Sequence, residues 1–263
     1  MEHPPRHERV RRRAELAAAV SSQADIESFF QENAKEVLIA LARNPHLRDS
    51  DLVRLLERKD LAHEVVQELA QHKVVRRSYT AKLALARHPK APRHISLPLL
   101  KFFYIFDLLL VAQTPAVPAE VKMVAEEAIL KKLAGMPRGQ RTALARRGTG
   151  RIAAGLLFGS DPELIRAVLD NPYLTESYLL KVIAREGLPA PVVEEIAQHP
   201  RWSYHYQLRL GLIRNPLTPF ARVLAFLPDM AVTDLRDICL DHRMPGAVRK
   251  YIQGYCVARL KKQ

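Results

Sequence analysis

Two cysteines, Cys239 and Cys256, are all that the 263 residues contain, too few for a disulfide framework or a structural zinc site. A reducing compartment suits such a chain, and a cytoplasmic protein is the expectation. Aromatic residues make up only 6% and glycines number ten. Nowhere do β-branched and aromatic residues alternate as a half-buried strand requires, so the abundant Leu, Ala and Val point to an all-α protein. No glycine-rich phosphate loop, no His and carboxylate set at metal-ligand spacing and no nucleophile elbow is present. The nearest glycine cluster, at 135–155, follows no strand. Neither an enzyme nor a bound cofactor is expected.

Long apolar runs are also scarce. Arg6, Arg9 and Arg11, Arg12, Arg13 precede only a weakly apolar stretch at 14–20, which lacks the longer apolar region of a secretory signal. The run at 95–112 is interrupted by Pro98, Lys101 and Asp107 and falls short of about 20 clean apolar residues, so no membrane span is expected. Two short helices broken near Pro98 and Lys101 are its simplest reading.

What the chain does contain is a repeat of itself. Residues 41–92 lie on residues 168–219 without a gap at an offset of 127. Asn44-Pro45 falls on Asn171-Pro172, Ala70-Gln71-His72 on Ala197-Gln198-His199, Tyr79 on Tyr206, and Pro92 on Pro219. The match continues more weakly to Leu133 on Leu260. This predicts a basic N-terminal arm (1–25), a first helical half (26–133), a basic connector (134–159) and a second helical half (160–263). Leu52, Val53, Leu55 and Leu56 match Leu179, Leu180, Val182 and Ile183 at the spacing of an apolar helix face. Ser50 or Asp49 can cap one helix, and Pro118 and Pro245 suit the first turn of another. Helices of about ten residues between Asn-Pro and His-Pro turns predict an α-solenoid.

The turn cassettes Leu41-Ala42-Arg43-Asn44-Pro45, Leu85-Ala86-Arg87-His88-Pro89 and Leu212-Ile213-Arg214-Asn215-Pro216 resemble leucine-rich repeat variant units, related in style to HEAT-like repeats. The resemblance touches about half of the chain and implies the solenoid architecture. Some members of that family hold an iron–sulfur cluster on an N-terminal cysteine motif, which residues 1–25 do not possess.

Acidic residues are few, 28 against 41 Lys and Arg, leaving a formal charge of +13. Their distribution is uneven. Residues 69–106 contain no acid but carry Lys73, Arg76, Arg77, Lys82, Arg87, Lys90, Arg93 and Lys101; residues 128–160 carry Lys131, Lys132, Arg138, Arg141, Arg146, Arg147 and Arg151; residues 196–228 carry Arg201, Arg209, Arg214 and Arg222. Equivalent segments of stacked repeats lie along one side, so a basic stripe is expected, able to hold a phosphate backbone with little sequence preference. Its expected members are Lys73, Arg76, Arg77, Lys82, Arg138, Arg141, Arg146, Arg147, Arg151, Arg201, Trp202 and Arg209. Trp202 and Tyr206 can stack on bases beside these cations or pack inside. His72 and His199, each ending a helix, are expected to cap carbonyls rather than do chemistry.

The sequence therefore predicts a non-enzymatic scaffold whose partner is an acidic macromolecule, nucleic acid before acidic protein. A protein–protein adaptor docking through the apolar region 99–110 is the alternative. A nucleic-acid enzyme on a HEAT-like fold ranks last, because such a site needs a carboxylate and the basic segments contain none.

Overall fold

The computed structural model describes residues 6–241 and 244–260, among which there are nineteen α-helices and no strand. The chain divides into two compact units, Met1–Lys131 and Lys132–Gln263. In unit 1 the helices are α1 (Arg6–Ala19), α2 (Gln23–Glu27), α3 (Lys35–Ala42), α4 (Asp49–Glu57), α5 (His63–Gln71), α6 (Lys73–Arg77), α7 (Tyr79–Ala86), α8 (Arg93–Leu99), α9 (Ile105–Gln113) and α10 (Ala119–Lys132), which ends at the division. In unit 2 they are α11 (Arg138–Arg147), α12 (Gly150–Leu156), α13 (Pro162–Leu169), α14 (Glu176–Ile183), α15 (Ala190–Gln198), α16 (Tyr206–Arg214), α17 (Phe220–Phe226), α18 (Val232–Cys239) and α19 (Gly246–Leu260). The segments expected as arm and connector thus contain α1 and α11–α12, and Ala17, Leu144, Ala145 and Ile152 are fully buried.

Helix faces follow the apolar spacing. In α4, Leu52, Leu55 and Leu56 turn inward while Arg54 and Glu57 stay in solvent; each buried leucine contributes about 1.5–3 kcal/mol of transfer free energy. In α15 the inward set is Val192, Val193, Ile196 and Ala197. The run 95–112 forms α8, a 3₁₀ turn at Leu100–Phe102 and α9, and among the described residues no helix is long and apolar enough to cross a membrane. The expected cap of α4 differs: neither Ser50 nor Asp49 caps it, because both lie inside its first turn. Asp51 reaches back instead, accepting from the backbone N–H of Arg48 at 2.8 Å and from Gln23 at 2.6 Å. A carboxylate in the first turn also favours the positive end of the helix dipole.

Within each unit a helix packs on the one two or three places along the chain: α1 on α3, α3 on α5 and α4 on α7 in unit 1; α11 on α13, α13 on α15, α12 on α14 and α14 on α16 in unit 2. Side chains at the turns tie these neighbours together. The buried Asn44 closes its own turn, its Oδ1 accepting from His46 N–H, and its Nδ2 donates to the carbonyls of Ala17 and Val20 that α1 leaves free. Asn171 does the same in unit 2, accepting from Tyr173 N–H and donating to the carbonyls of Ala145 and Gly148. His72 and His88 use a ring for this double contact. Each accepts a backbone N–H two residues on at Nδ1, so the proton sits on Nε2 and is donated to the carbonyl of Asn44 or Arg58. His199 also closes its turn at Nδ1, on Arg201 N–H, while its Nε2 lies 3.3 Å from Asp170. These polar groups staple one turn to the next and leave no buried backbone carbonyl unmet at those points.

Candidate nucleic-acid interface

The five residues of α6 stand between two caps. His72 accepts from Val74 N–H at its start, and Ser78 beyond its end accepts from Ala81 N–H to open α7. Val75 is buried and anchors the turn, which leaves Lys73, Arg76 and Arg77 exposed. Lys82, half-buried on α7, directs its ammonium to 5.9 Å from the centre of the Phe102 ring. Lys101 approaches the same ring to 4.9 Å. Among the described residues none of Lys73, Arg76, Arg77, Lys82 and Lys101 forms an ion pair.

Two carboxylates here accept from hydroxyls, and the buried Oδ1 of one of them, Asp49, has no hydrogen-bond partner among the described residues. Tyr79 donates its hydroxyl to Asp107 and accepts at the same oxygen from Tyr104 N–H; burial and the bond to Asp107 push the phenol pKa upward. Thr80 donates to Asp49 at 2.6 Å. The surface alongside carries exposed rings, with Phe102, Tyr104 and Phe106 at 60%, 74% and 47% relative exposure. Tyr104 rests 5.4 Å from Tyr79, whose other neighbour, Phe103, is buried.

In unit 2 the expected cations have found other company. Arg138 pairs with Asp161 at 2.8 Å and Glu163 at 2.6 Å, and the hydrogen bond to Asp161 raises its pKa further while holding that carboxyl below its usual range. Arg209 is largely covered, bonded to Asp229 at 2.5 Å and to the carbonyl of Ser203. Arg201 donates to the carbonyls of Asn171 and Leu174 and lies 4.2 Å over Trp202. Trp202 itself is 2% exposed and donates its indole N–H to Leu169, so it packs inside and offers no face to a base. Arg141 and Arg151 are half-buried, and the Arg141 Nε lacks a hydrogen-bond partner among the described residues. Arg146 and Arg147 are exposed; Arg146 shares a concavity with Thr142, Glu163, Arg166 and Asp170. Segregation of charge along the chain is therefore not segregation in space, because neighbouring helices bring acids from 20 or more residues away.

The sequence offered Trp202 and Tyr206 as residues that stack or pack inside, and 99–110 only as a docking region. Phe102, Tyr104 and Phe106 carried a readable signal: 127 positions later the chain has Asp229, Ala231 and Thr233, so a fold of this kind does not require rings at those positions. Among the described residues no three His, Cys, Asp or Glu side chains gather as a metal site. Comparison with protein-family models, with characterised proteins and with solved structures returned no match.

Proposed function

We propose that the chain is a duplicated α-solenoid, of leucine-rich repeat variant or HEAT-like type, that serves as a non-enzymatic scaffold binding nucleic acid through the basic surface of α6 and α7. Duplication is supported by helix bounds that recur at an offset of 127: His63–Gln71 and Ala190–Gln198, Arg93–Leu99 and Phe220–Phe226, and the 3₁₀ turns Leu100–Phe102 and Leu227–Asp229. The packing of α1 on α3, α3 on α5, α11 on α13, α12 on α14, α13 on α15 and α14 on α16 is the contact pattern of stacked repeats.

The observation that carries the binding reading is the exposure of Lys73, Arg76 and Arg77 without an acid partner. Other cations are neutralised by acids from neighbouring helices, as at Arg43 with Glu68, Arg138 with Asp161 and Arg166 with Glu195. Three uncompensated cations within five residues repel one another, and a phosphate backbone relieves that repulsion while releasing its own counterions. Contacts of this kind position a strand without reading its sequence.

The test is a titration of a labelled oligonucleotide by fluorescence anisotropy. Wild type should bind in roughly the micromolar range or weaker at physiological salt, with no sequence preference. Lys73→Glu, Arg76→Glu and Arg77→Glu together should weaken binding to every sequence and leave the helical circular-dichroism spectrum unchanged. Equal binding by the triple variant would reject the interface. No binding by wild type at low salt would reject nucleic acid as the partner and favour the adaptor, for which the exposed Phe102, Tyr104, Phe106 and Leu110 are the specific support.

A further inference from the structure

We infer that Phe102 and Tyr104, with Phe106 beside them, form a base-stacking platform flanked by Lys82 and Lys101, which directs the interface toward single-stranded rather than duplex nucleic acid. The inference rests on the nucleic-acid reading above and deepens it. Isolated exposed rings are ordinary, but here three stand within five residues, followed by a further exposed leucine, Leu110, on α9.

The chain supplies its own control. Apolar positions that build the core are buried in both units: Leu100 and Leu227, Phe103 and Met230, Leu108 and Leu235. Between them, where unit 1 has Phe102, Tyr104 and Phe106, unit 2 has Asp229, Ala231 and Thr233. The cation at the corresponding place is present in both, but Arg209 is spent on Asp229 at 2.5 Å, whereas Lys82 meets an aromatic face at 5.9 Å and keeps its charge unpaired. Local packing is thus satisfied without the rings, and their presence at 60% and 74% exposure answers to something outside the fold.

The chemistry of the surroundings selects the occupant. Interfaces between proteins deplete lysine at their apolar centre, yet two lysine ammonium groups flank the Phe102 ring. Asp107, the one acid between residues 69 and 119, accepts from Tyr79, and its single charge stands against the two ammonium groups at the Phe102 ring. Aromatic faces with cations at their rim match an unpaired strand, whose bases offer π-faces and whose backbone offers charge. A duplex keeps its base faces stacked internally and can engage the cations alone.

The experiment compares labelled oligothymidylate with a hairpin duplex of equal charge. Phe102→Ala with Tyr104→Ala should weaken single-strand binding roughly tenfold or more, with duplex binding and salt dependence unchanged. As a second readout, Tyr104→Trp should show emission quenched by oligothymidylate and not by the duplex, over a constant background from the buried Trp202. Equal loss on both ligands in the alanine variant, or a Tyr104→Trp signal that the single strand leaves unchanged, would overturn the platform while leaving the basic interface in place. Absence of binding to either ligand by wild type would instead overturn the nucleic-acid reading itself, and the platform with it.

Discussion

Asn44→Ala removes three hydrogen bonds at once. The Asn44 side chain donates to Ala17 O at 2.8 Å and Val20 O at 2.7 Å and accepts from His46 N at 2.8 Å, and the residue is 1% exposed. Alanine leaves two carbonyls and one N–H without a partner. A buried polar group left unsatisfied costs about 1–3 kcal/mol. The Ala17 carbonyl is fully enclosed while the other two groups are partly reachable by water, so the sum is about 3–4 kcal/mol, a large share of the roughly 5–15 kcal/mol that holds a domain folded. Asn215 supplies the comparison, because it makes one long-range bond, to Ile183 O, and is only half-buried; its alanine variant should lose about 1 kcal/mol. Urea unfolding read at constant slope measures both. An Asn44→Ala variant within about 0.5 kcal/mol of wild type, or no more affected than Asn215→Ala, would refute the stapling role.

Two further outcomes follow from local geometry. Burial lowers the pKa of His72 and His88 below the ordinary 6.5, and cations beside each add to the effect, Lys73 for the first and Lys59 and Lys90 for the second. The folded state then resists protonation, so stability is fully present above the unfolded value of about 6.5 and falls as pH drops below it. Replacing both by Asn, the residue that stands at 215 where the sequence repeat aligns with His88, should flatten the decline between about pH 7.5 and 5.5; an unchanged decline in urea midpoint would show that these rings do not govern it. At Gly150 an added Cβ would lie 2.4 Å from the carbonyl oxygen of Tyr173 and 2.7 Å from the Tyr178 ring, so Gly150→Ala should cost about 1–3 kcal/mol through displaced backbone, and a thermal midpoint equal to wild type would contradict the close approach.

Helices and their inward faces were legible because apolar spacing is a local property: Leu52, Leu55, Leu56 and Val192, Val193, Ile196 are buried where their periodicity put them. The turn histidines were legible in part: His72 meets a carbonyl, that of Asn44, as a capping ring should, whereas His199 meets Arg201 N–H and Asp170, because the group opposite each ring comes from 28 or 29 residues away. The start of α4 was not, because the helix begins at Asp49, which places Asp49 and Ser50 inside its first turn and leaves Asp51 to reach back to Arg48 N–H. The basic segments misled for a different reason. Asp161, Glu163 and Asp229 stand outside or at some distance from the cations along the chain, yet helix packing sets them against Arg138 and Arg209. Trp202 packs inside, one of the two readings the sequence allowed, and the Leu169 carbonyl that accepts its indole N–H lies 33 residues away along the chain.

The salt dependence of wild-type binding tests the central claim most directly. Each phosphate neutralised adds about 0.9 to the slope of log K against log salt for duplex DNA, and about 0.7 for a single strand. Lys73→Gln, Arg76→Gln and Arg77→Gln together should therefore flatten the wild-type single-strand slope by about 2. A slope near zero in wild type, or one that the three substitutions leave unchanged, would contradict an interface built on α6.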